Sequence, residues 1–221
     1  MSATATTLRP TIPGLHATSP EQLPFDQRLV IRAYLLEREA GNVLIYRTGT
    51  LAADARRFEE LGGVARQYLN HSHEAMFGDA EPAIDAPLFV HEADAAETRR
   101  RAPVRATFSR RHRLDDDFEV IPTPGHTPGA TAYLWDTGEN RLLFTGDSIY
   151  LRNDRWVAAV LDSSDRDAYI ASLETLREVD FDVLVPWAAT IGGPSHSVLA
   201  EGEGREQLDA ILERLRRGGS H

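Results

Sequence analysis

Residues 69–78, LNHSHEAMFG, place two histidines one residue apart directly after a predicted strand at residues 64–70. In an extended segment, side chains two residues apart point to the same side, so His71 and His73 can both reach one metal ion at about 2.0–2.1 Å. The pair alone is weak evidence, because such pairs also occur by chance. A metal site is predicted only if further ligands follow along the chain.

Two later segments supply such candidates. Residues 121–131, IPTPGHTPGAT, hold His126 between two Pro-Gly pairs, a rigid turning loop that fixes the direction of one side chain. A turn with a solvent-facing histidine is the alternative interpretation. Residues 142–148, LLFTGDS, place Asp147 at the end of an apolar strand beside a glycine. An aspartate that caps a helix or a turn is the alternative interpretation, and on this segment alone it is the favoured one.

Taken in order and spacing, these segments resemble the motifs of the metallo-β-lactamase superfamily. Its first three motifs are His-x-His-x-Asp-His, a lone histidine in a Gly-His-Thr-Pro-Gly context, and an aspartate after Thr-Gly. Its fourth motif is a histidine that follows a strand and Pro-Gly. Residues 169–186, YIASLETLREVDFDVLVP, also resemble the helix and strand that lead to the fourth motif. The resemblance covers residues 28–217. It implies an α+β fold, an αββα sandwich of two mixed β-sheets with outer helices and a metal site at one edge of the sheets. The mixed order of predicted strands and helices agrees with this fold.

The resemblance also implies a ligand set. His71, His73 and His126 match the residues that build the family's first metal position, and Asp147 matches the ligand that bridges to the second. Three imidazoles and a carboxylate suit one divalent ion, with zinc favoured and iron or manganese as alternatives. Asp147 is expected to act as a fourth ligand, or as a general base hydrogen-bonded to a water.

The second metal position departs from the family pattern. Ala75 and Met76 stand where the first motif has its aspartate and final histidine, and Trp187 and Ala188 replace the Gly-His of the fourth motif. Trp187 is expected to close the vacated position with Met76, or alternatively to pack in the core. Glu74 is expected to point away from the ligands. The sequence therefore predicts one metal ion, not two.

Three other histidines receive plainer interpretations. His91 follows a predicted strand and is expected to be structural. His112 lies among arginines and is expected to be exposed. His196, shortly after the altered fourth motif, is a candidate replacement ligand.

Three functions remain open. The favoured one is a mononuclear metal-dependent hydrolase of a small ester, thioester, lactone or amide. The second is a non-catalytic descendant of the fold that binds or assembles. The third is an iron oxygenase resembling the persulfide dioxygenases, in which His71, His126 and Asp147 would hold Fe²⁺ as a facial triad.

Composition excludes several other classes. The 221-residue chain has no cysteine and no lysine, which rules out thiolate ligands, Schiff-base lysines and phosphate-loop lysines. A net charge of −10 disfavours binding to nucleic acid or to an anionic membrane. The arginine-rich run at residues 98–117 is balanced by acids and is interpreted as solvated surface. We expect a cytoplasmic protein that acts on a small molecule, with a homodimer suggested by size and class.

The predicted organisation is a single domain at residues 28–217. An irregular lead-in at residues 1–27 precedes it, because that segment is rich in proline and threonine. Residues 218–221 form a predicted flexible tail.

Overall fold

The computed structural model describes residues 12–78, 83–153 and 155–219. Within that part of the chain there are seventeen short strands, four α-helices and one 3₁₀ helix. The helices are α1 (Leu51–Glu60), α2 (Glu92–Thr98), α3 (Arg166–Arg177) and α4 (Glu203–Arg216), and the 3₁₀ helix spans Ser72–Met76. None of the helices in these ranges is long and apolar enough to cross a membrane.

The N-terminal half of the chain builds the first sheet, which is mixed. Its strands, in spatial order, are β1 (Leu15–Ala17), β4 (Tyr34–Leu36), β5 (Val43–Ile45), β6 (Arg66–Tyr68), β7 (Leu88–His91) and β8 (Val104–Phe108). The strands from β5 to β8 run parallel, and the β1–β4 and β4–β5 pairs are antiparallel. Helices α1 and α2 provide two of the crossovers that parallel neighbours require.

The second sheet is also mixed and follows in the C-terminal half. Its strands, in spatial order, are β17 (Ser197–Val198), β15 (Val183–Pro186), β12 (Arg141–Gly146), β11 (Thr131–Asp136), β10 (Phe118–Pro122) and β9 (His112–Asp115). A smaller third sheet adjoins these two. It consists of β14 (Arg155–Val157), β13 (Tyr150–Arg152), β16 (Ala188–Thr190), β3 (Leu29–Ile31) and β2 (Glu21–Gln22).

Period-two alternation sorts the second sheet's side chains onto two faces. Val120 and Tyr133 belong to one buried cluster with Tyr68 of the first sheet. The neighbouring Ile121 belongs to a different cluster, which it shares with Leu173 of α3. One face of the sheet therefore packs on the other sheet and the opposite face packs under helices. This arrangement is the predicted α+β sandwich with outer helices.

The lead-in predicted to be irregular is partly wrong. Leu15–Ala17 pairs with β4, and Glu21–Gln22 pairs with β3. These strands are two or three residues long, too short for a recognisable apolar alternation, so their tertiary partners decide that they are strands. Residues 1–11 of the predicted lead-in and residues 220–221 of the predicted tail lie outside the described residues.

The partial alternation of residues 28–39, RLVIRAYLLERE, predicts a single strand, but the structure has two there. Leu29–Ile31 joins the third sheet and Tyr34–Leu36 joins the first. Both segments are buried throughout, so hydrophobicity alone could not locate the break between them. The arginine-rich run at residues 98–117 also contains two strands, Val104–Phe108 and His112–Asp115, although its arginines are largely solvated as predicted.

Candidate metal centre

Three imidazoles converge at one edge of the sheets. One ring nitrogen from each of His71, His73 and His126 lies within 4.8 Å of the other two. The closest pair is His73 Nδ1 and His126 Nε2, at 3.2 Å. Two donors bound to one tetrahedral zinc ion at about 2.0–2.1 Å lie about 3.3–3.4 Å apart, so this spacing fits a shared ion.

The local structure of the first pair differs from the prediction. His71 is extended, with φ −154° and ψ 165°, but His73 lies inside the 3₁₀ helix Ser72–Met76. The pair therefore does not share one face of a strand. It converges because the chain turns after His71 and the two rings present different nitrogens, Nε2 from His71 and Nδ1 from His73.

The orientation of His71 is fixed from behind. Its Nδ1 lies 3.1 Å from Asn70 Oδ1 and 3.1 Å from Glu74 Oε1, so this nitrogen carries the proton and donates. His71 Nε2 is therefore unprotonated and carries a lone pair, and this atom is fully buried without a hydrogen-bond partner. Burial and the two neighbouring imidazoles hold the pKa of His71 well below its ordinary value. The ring is therefore neutral, which is the form that binds a metal, and its orphaned Nε2 fits a metal ligand.

His126 is oriented by the loop that follows β14. Its Nδ1 donates to the carbonyl oxygen of Ala159 at 2.6 Å, which leaves Nε2 as the unprotonated nitrogen toward the other rings. Ser164 Oγ donates to the His126 carbonyl at 3.1 Å. A backbone bond that fixes the tautomer of a histidine is characteristic of metal ligands.

Asp147 lies beside two of the three imidazoles. Its Oδ2 is 3.6 Å from His71 Nε2 and 3.8 Å from His126 Nε2, wider than the spacing within the histidine pair. Burial raises the pKa of the Asp147 carboxyl, and the neighbouring His126 opposes that shift. The side chain keeps 21% of its surface exposed, so it can both contact an ion and face a substrate.

The glycine before Asp147 explains how strand β12 reaches the histidine loop. Gly146 has φ +56°, and a Cβ there would lie only 2.0 Å from the side-chain amide of Asn70. The Gly146 N–H also donates to the Tyr46 hydroxyl at 2.8 Å, and that hydroxyl donates to the Val185 carbonyl at 2.7 Å. Only glycine permits so close an approach, so the Thr-Gly-Asp sequence sets the distance from Asp147 to His71.

Asp94 connects the two histidine loops. This buried side chain of α2 accepts hydrogen bonds from the Ser72 N–H at 2.8 Å, from Thr127 Oγ1 at 2.6 Å and from the Gly129 N–H at 2.8 Å. Ser72 lies between the first two histidines, and Thr127 follows His126. Asp94 could not be recognised as a site residue from the sequence, because an acidic residue in the first turn of a helix is common for helix-dipole reasons alone.

Two of the substituted positions of the second metal site, Trp187 and Ala75, make apolar contacts. The Trp187 ring packs edge-to-face on His71, with centroids 5.4 Å apart, and on Phe77 at 5.2 Å. Its indole N–H donates to the Arg47 carbonyl at 3.0 Å. Ala75 is buried in the apolar cluster beneath α2. A tryptophan therefore occupies space beside the first histidine.

Glu74 and Met76 point in different directions. The Glu74 carboxylate is fully buried on the Nδ1 side of His71 and accepts backbone N–H bonds from Asn70 at 2.8 Å and Arg47 at 3.1 Å. It therefore lies away from the cluster, as expected. Met76 is 46% exposed and lines a pocket of about 600 Å³ that opens onto the histidines and Asp147.

The other histidines stay outside the cluster. His91 caps α2 by accepting a bond from the Ala93 N–H, which supports its structural interpretation. His112 is exposed, as predicted. His196 is not among the converging residues, and its Nδ1 lies 3.2 Å from Ser195 Oγ. The prediction of His196 as a replacement ligand is therefore not supported by its position.

Comparisons with known proteins agree on one family. The model of the metallo-beta-lactamase superfamily matches residues 52–188. A metallo-beta-lactamase from Pontibacter korlensis superposes with a TM-score of 0.69 at 16% identity, covering 94% of this chain and 97% of that one. TTHA1623 in a di-iron-bound form gives 0.59 at 26% identity, covering 79% and 95%. AidC, a dizinc quorum-quenching lactonase bound to a product, gives 0.54 at 12%, covering 79% and 78%. No curated protein matches the chain.

Proposed function

The chain belongs to the metallo-beta-lactamase superfamily, and from that premise we propose that it is a mononuclear metal-dependent hydrolase of a small ester, thioester, lactone or amide. The observation that carries the proposal is the orphaned, buried Nε2 of His71, which faces two further imidazoles beside an open pocket. A purely structural histidine cluster has no reason to leave such an atom unpaired. Nor would it need a pocket large enough for a small molecule.

The residues that would hold the ion are His71 Nε2, His73 Nδ1 and His126 Nε2, with Asp147 Oδ2 adjacent. Zinc is the proposed metal, because three neutral imidazoles and one carboxylate suit it. When bound, a divalent ion supplies Lewis acidity, which polarises a carbonyl and lowers the pKa of a water.

One ion, not two, is proposed for this chain. TTHA1623 and AidC are described with two iron and two zinc ions, respectively. Here Ala75, Met76 and Ala188 offer no carboxylate or imidazole at the positions of the family's second-site ligands. The Trp187 ring packs against His71, which supports the loss of the second position.

Asp147 is the proposed proton acceptor. Its carboxylate lines the pocket and remains partly exposed, whereas Glu74 is sealed behind His71 by backbone donors. In the pocket, Asp147 Oδ2 would take the proton of the attacking water. Removing a general base lowers turnover by about 10²–10⁴-fold, so Asp147→Asn gives a measurable test.

The experiment is hydrolysis of 4-nitrophenyl acetate and an acetyl thioester by chelator-treated protein to which zinc is returned stepwise. We expect activity to rise and level off near one equivalent of zinc. His73→Ala should abolish the response, and the exposed His112→Ala should preserve it. Absence of hydrolysis by zinc-loaded wild-type protein on every ester, thioester, lactone and amide tried would refute the proposal and favour a non-catalytic binding protein.

A further inference from the structure

Exposed apolar side chains gather around the pocket of the candidate metal centre. Within the described residues, five large apolar side chains are exposed: Phe25, Met76, Leu161, Ile191 and Val198. The first three all line the 600 Å³ pocket that contains His73, His126 and Asp147. Single exposed apolar residues are ordinary, but three around one concave site form a surface suited to an apolar group.

The apolar surface continues into the pocket. Leu29, Phe77 and Trp187 form part of its buried lining. The wall is also tied to the candidate metal centre, because the loop that carries Leu161 provides the Ala159 carbonyl that orients His126. A ligand held by this wall would therefore lie next to the three imidazoles.

A cationic group lines the same pocket. Arg28 donates to both oxygens of Asp26 at 2.9 Å, and Arg152 Nη2 donates to Asp26 Oδ2 at 2.5 Å. Hydrogen bonds from Arg28 lower the pKa of Asp26, so its carboxylate stays ionised and neutralises only one of the two guanidinium groups. The group formed by Arg28, Arg152 and Asp26 therefore carries one surplus positive charge, and the carboxylate of Asp147 lies in the same pocket lining beside the imidazoles.

From this juxtaposition we propose that the pocket takes an amphiphilic acyl compound. Its alkyl or aryl part lies against Phe25, Met76 and Leu161, and an anionic group pairs with Arg28 and Arg152. The proposal rests on the proposed function for the reaction that such a compound undergoes. Its binding can nevertheless be measured without any turnover. Pockets of this volume are typical of small-molecule sites.

The test measures binding of three probes by titration calorimetry to the full chain in one metal-loaded preparation, below the micelle concentration. The probes are octyl phosphate, ethyl phosphate and octyltrimethylammonium. Burying a methylene group gains about fourfold in affinity (~0.8 kcal/mol), so partial burial of six predicts at least tenfold tighter binding of octyl phosphate than of ethyl phosphate. The cationic probe should bind at least tenfold more weakly than octyl phosphate.

Matched variants locate the two interactions. Leu161→Ser should reduce the ratio of the affinities for octyl and ethyl phosphate at least threefold. Ile191 is comparably exposed but lies outside the pocket, so Ile191→Ser should leave this ratio unchanged. Arg152→Gln should reduce the difference in affinity between octyl phosphate and octyltrimethylammonium. Arg28→Gln provides the same readout at a more exposed side chain if the Arg152 variant fails to fold. An anion held by the metal alone would respond to neither arginine change.

The outcomes separate this inference from the proposed reaction. Any of three results would overturn the inference. The protein could bind octyl and ethyl phosphate equally well, or bind octyl phosphate and octyltrimethylammonium equally well. Alternatively, Leu161→Ser and Ile191→Ser could reduce the octyl-to-ethyl affinity ratio by the same factor. If esters are hydrolysed while these ratios stay near one, the reaction stands and the amphiphile site fails. If no ester is hydrolysed but the ratios hold and respond to Leu161→Ser, the amphiphile site stands and the proposed reaction fails.

Discussion

Replacing Asp94 with alanine should both destabilise the fold and weaken metal binding. The carboxylate accepts three hydrogen bonds, from the Ser72 N–H, Thr127 Oγ1 and the Gly129 N–H, and the residue is only 4% exposed. Asp94→Ala leaves these donors without their acceptor in a buried place. Each unsatisfied buried donor costs about 1–3 kcal/mol, so a loss of about 3–6 kcal/mol is expected after partial rehydration.

The magnitude can be measured by urea unfolding and thermal denaturation. For a domain of this size, 1 kcal/mol lowers Tm by about 2–4 °C, so Asp94→Ala should lower Tm by about 6–24 °C. Without the Asp94 carboxylate, the two histidine loops are no longer linked by hydrogen bonds. The zinc affinity of Asp94→Ala should therefore be about 10–100-fold lower, the usual effect of losing a residue that supports metal ligands.

A matched control lies on the same helix. Glu97 is exposed and pairs with Arg100 on the surface, where an ion pair contributes about 0–1 kcal/mol. Glu97→Ala should therefore change Tm by no more than about 4 °C, the limit for 1 kcal/mol in a domain of this size, and should weaken zinc binding far less than Asp94→Ala, because only a charge interaction with His73 is lost. If Asp94→Ala were as stable as Glu97→Ala and bound zinc equally well, the assignment of Asp94 as the link between the loops would be wrong.

Three further predictions concern Gly146, Trp187 and Tyr34. Gly146→Ala should lower the free energy of unfolding in urea by several kcal/mol more than Gly192→Ala. Both glycines have a positive φ, but only at Gly146 would the added Cβ collide with Asn70. Equal losses of stability in the two variants would refute the close approach. Trp187→Phe should cost about 1–2 kcal/mol by removing the buried indole hydrogen bond without changing metal stoichiometry, and a second bound ion in this variant would contradict that. Burial raises the pKa of the Tyr34 hydroxyl to about 12, against about 10 in the unfolded chain. Part of the free energy of unfolding that is present below pH 10 should therefore be lost between about pH 10 and 12. The absorbance of ionised tyrosine at 295 nm should then rise together with unfolding and not before it.

The sequence could predict the sandwich and the convergence of the histidines, because both follow from local motifs in a recognisable order. The Pro-Gly loop around His126 and the glycine before Asp147 are short-range features, and the structure uses them as expected. The residues that hold these segments together were harder to predict. Asp94 lies 22 positions from Ser72 and 35 from Gly129, and nothing in its neighbourhood marks it as their partner.

Other details depended on tertiary pairing. Leu15–Ala17 is a strand only because β4 offers it an edge, and Leu29–Ile31 and Tyr34–Leu36 separate because they join different sheets. The 3₁₀ helix after His71 replaced the expected extended pair because Glu74 accepts the backbone N–H groups of Asn70 and His71. Such a buried carboxylate cannot be distinguished from a surface glutamate in the sequence alone.

The central claim is that this chain holds one metal ion with His71, His73 and His126. Elemental analysis of protein purified without a metal-affinity step tests it most directly, with His126→Ala and the exposed His112→Ala measured in parallel. We predict about one equivalent of zinc in the wild type and in His112→Ala, and loss of that metal in His126→Ala. Two equivalents in the wild type, or none even after incubation with zinc, would contradict the account.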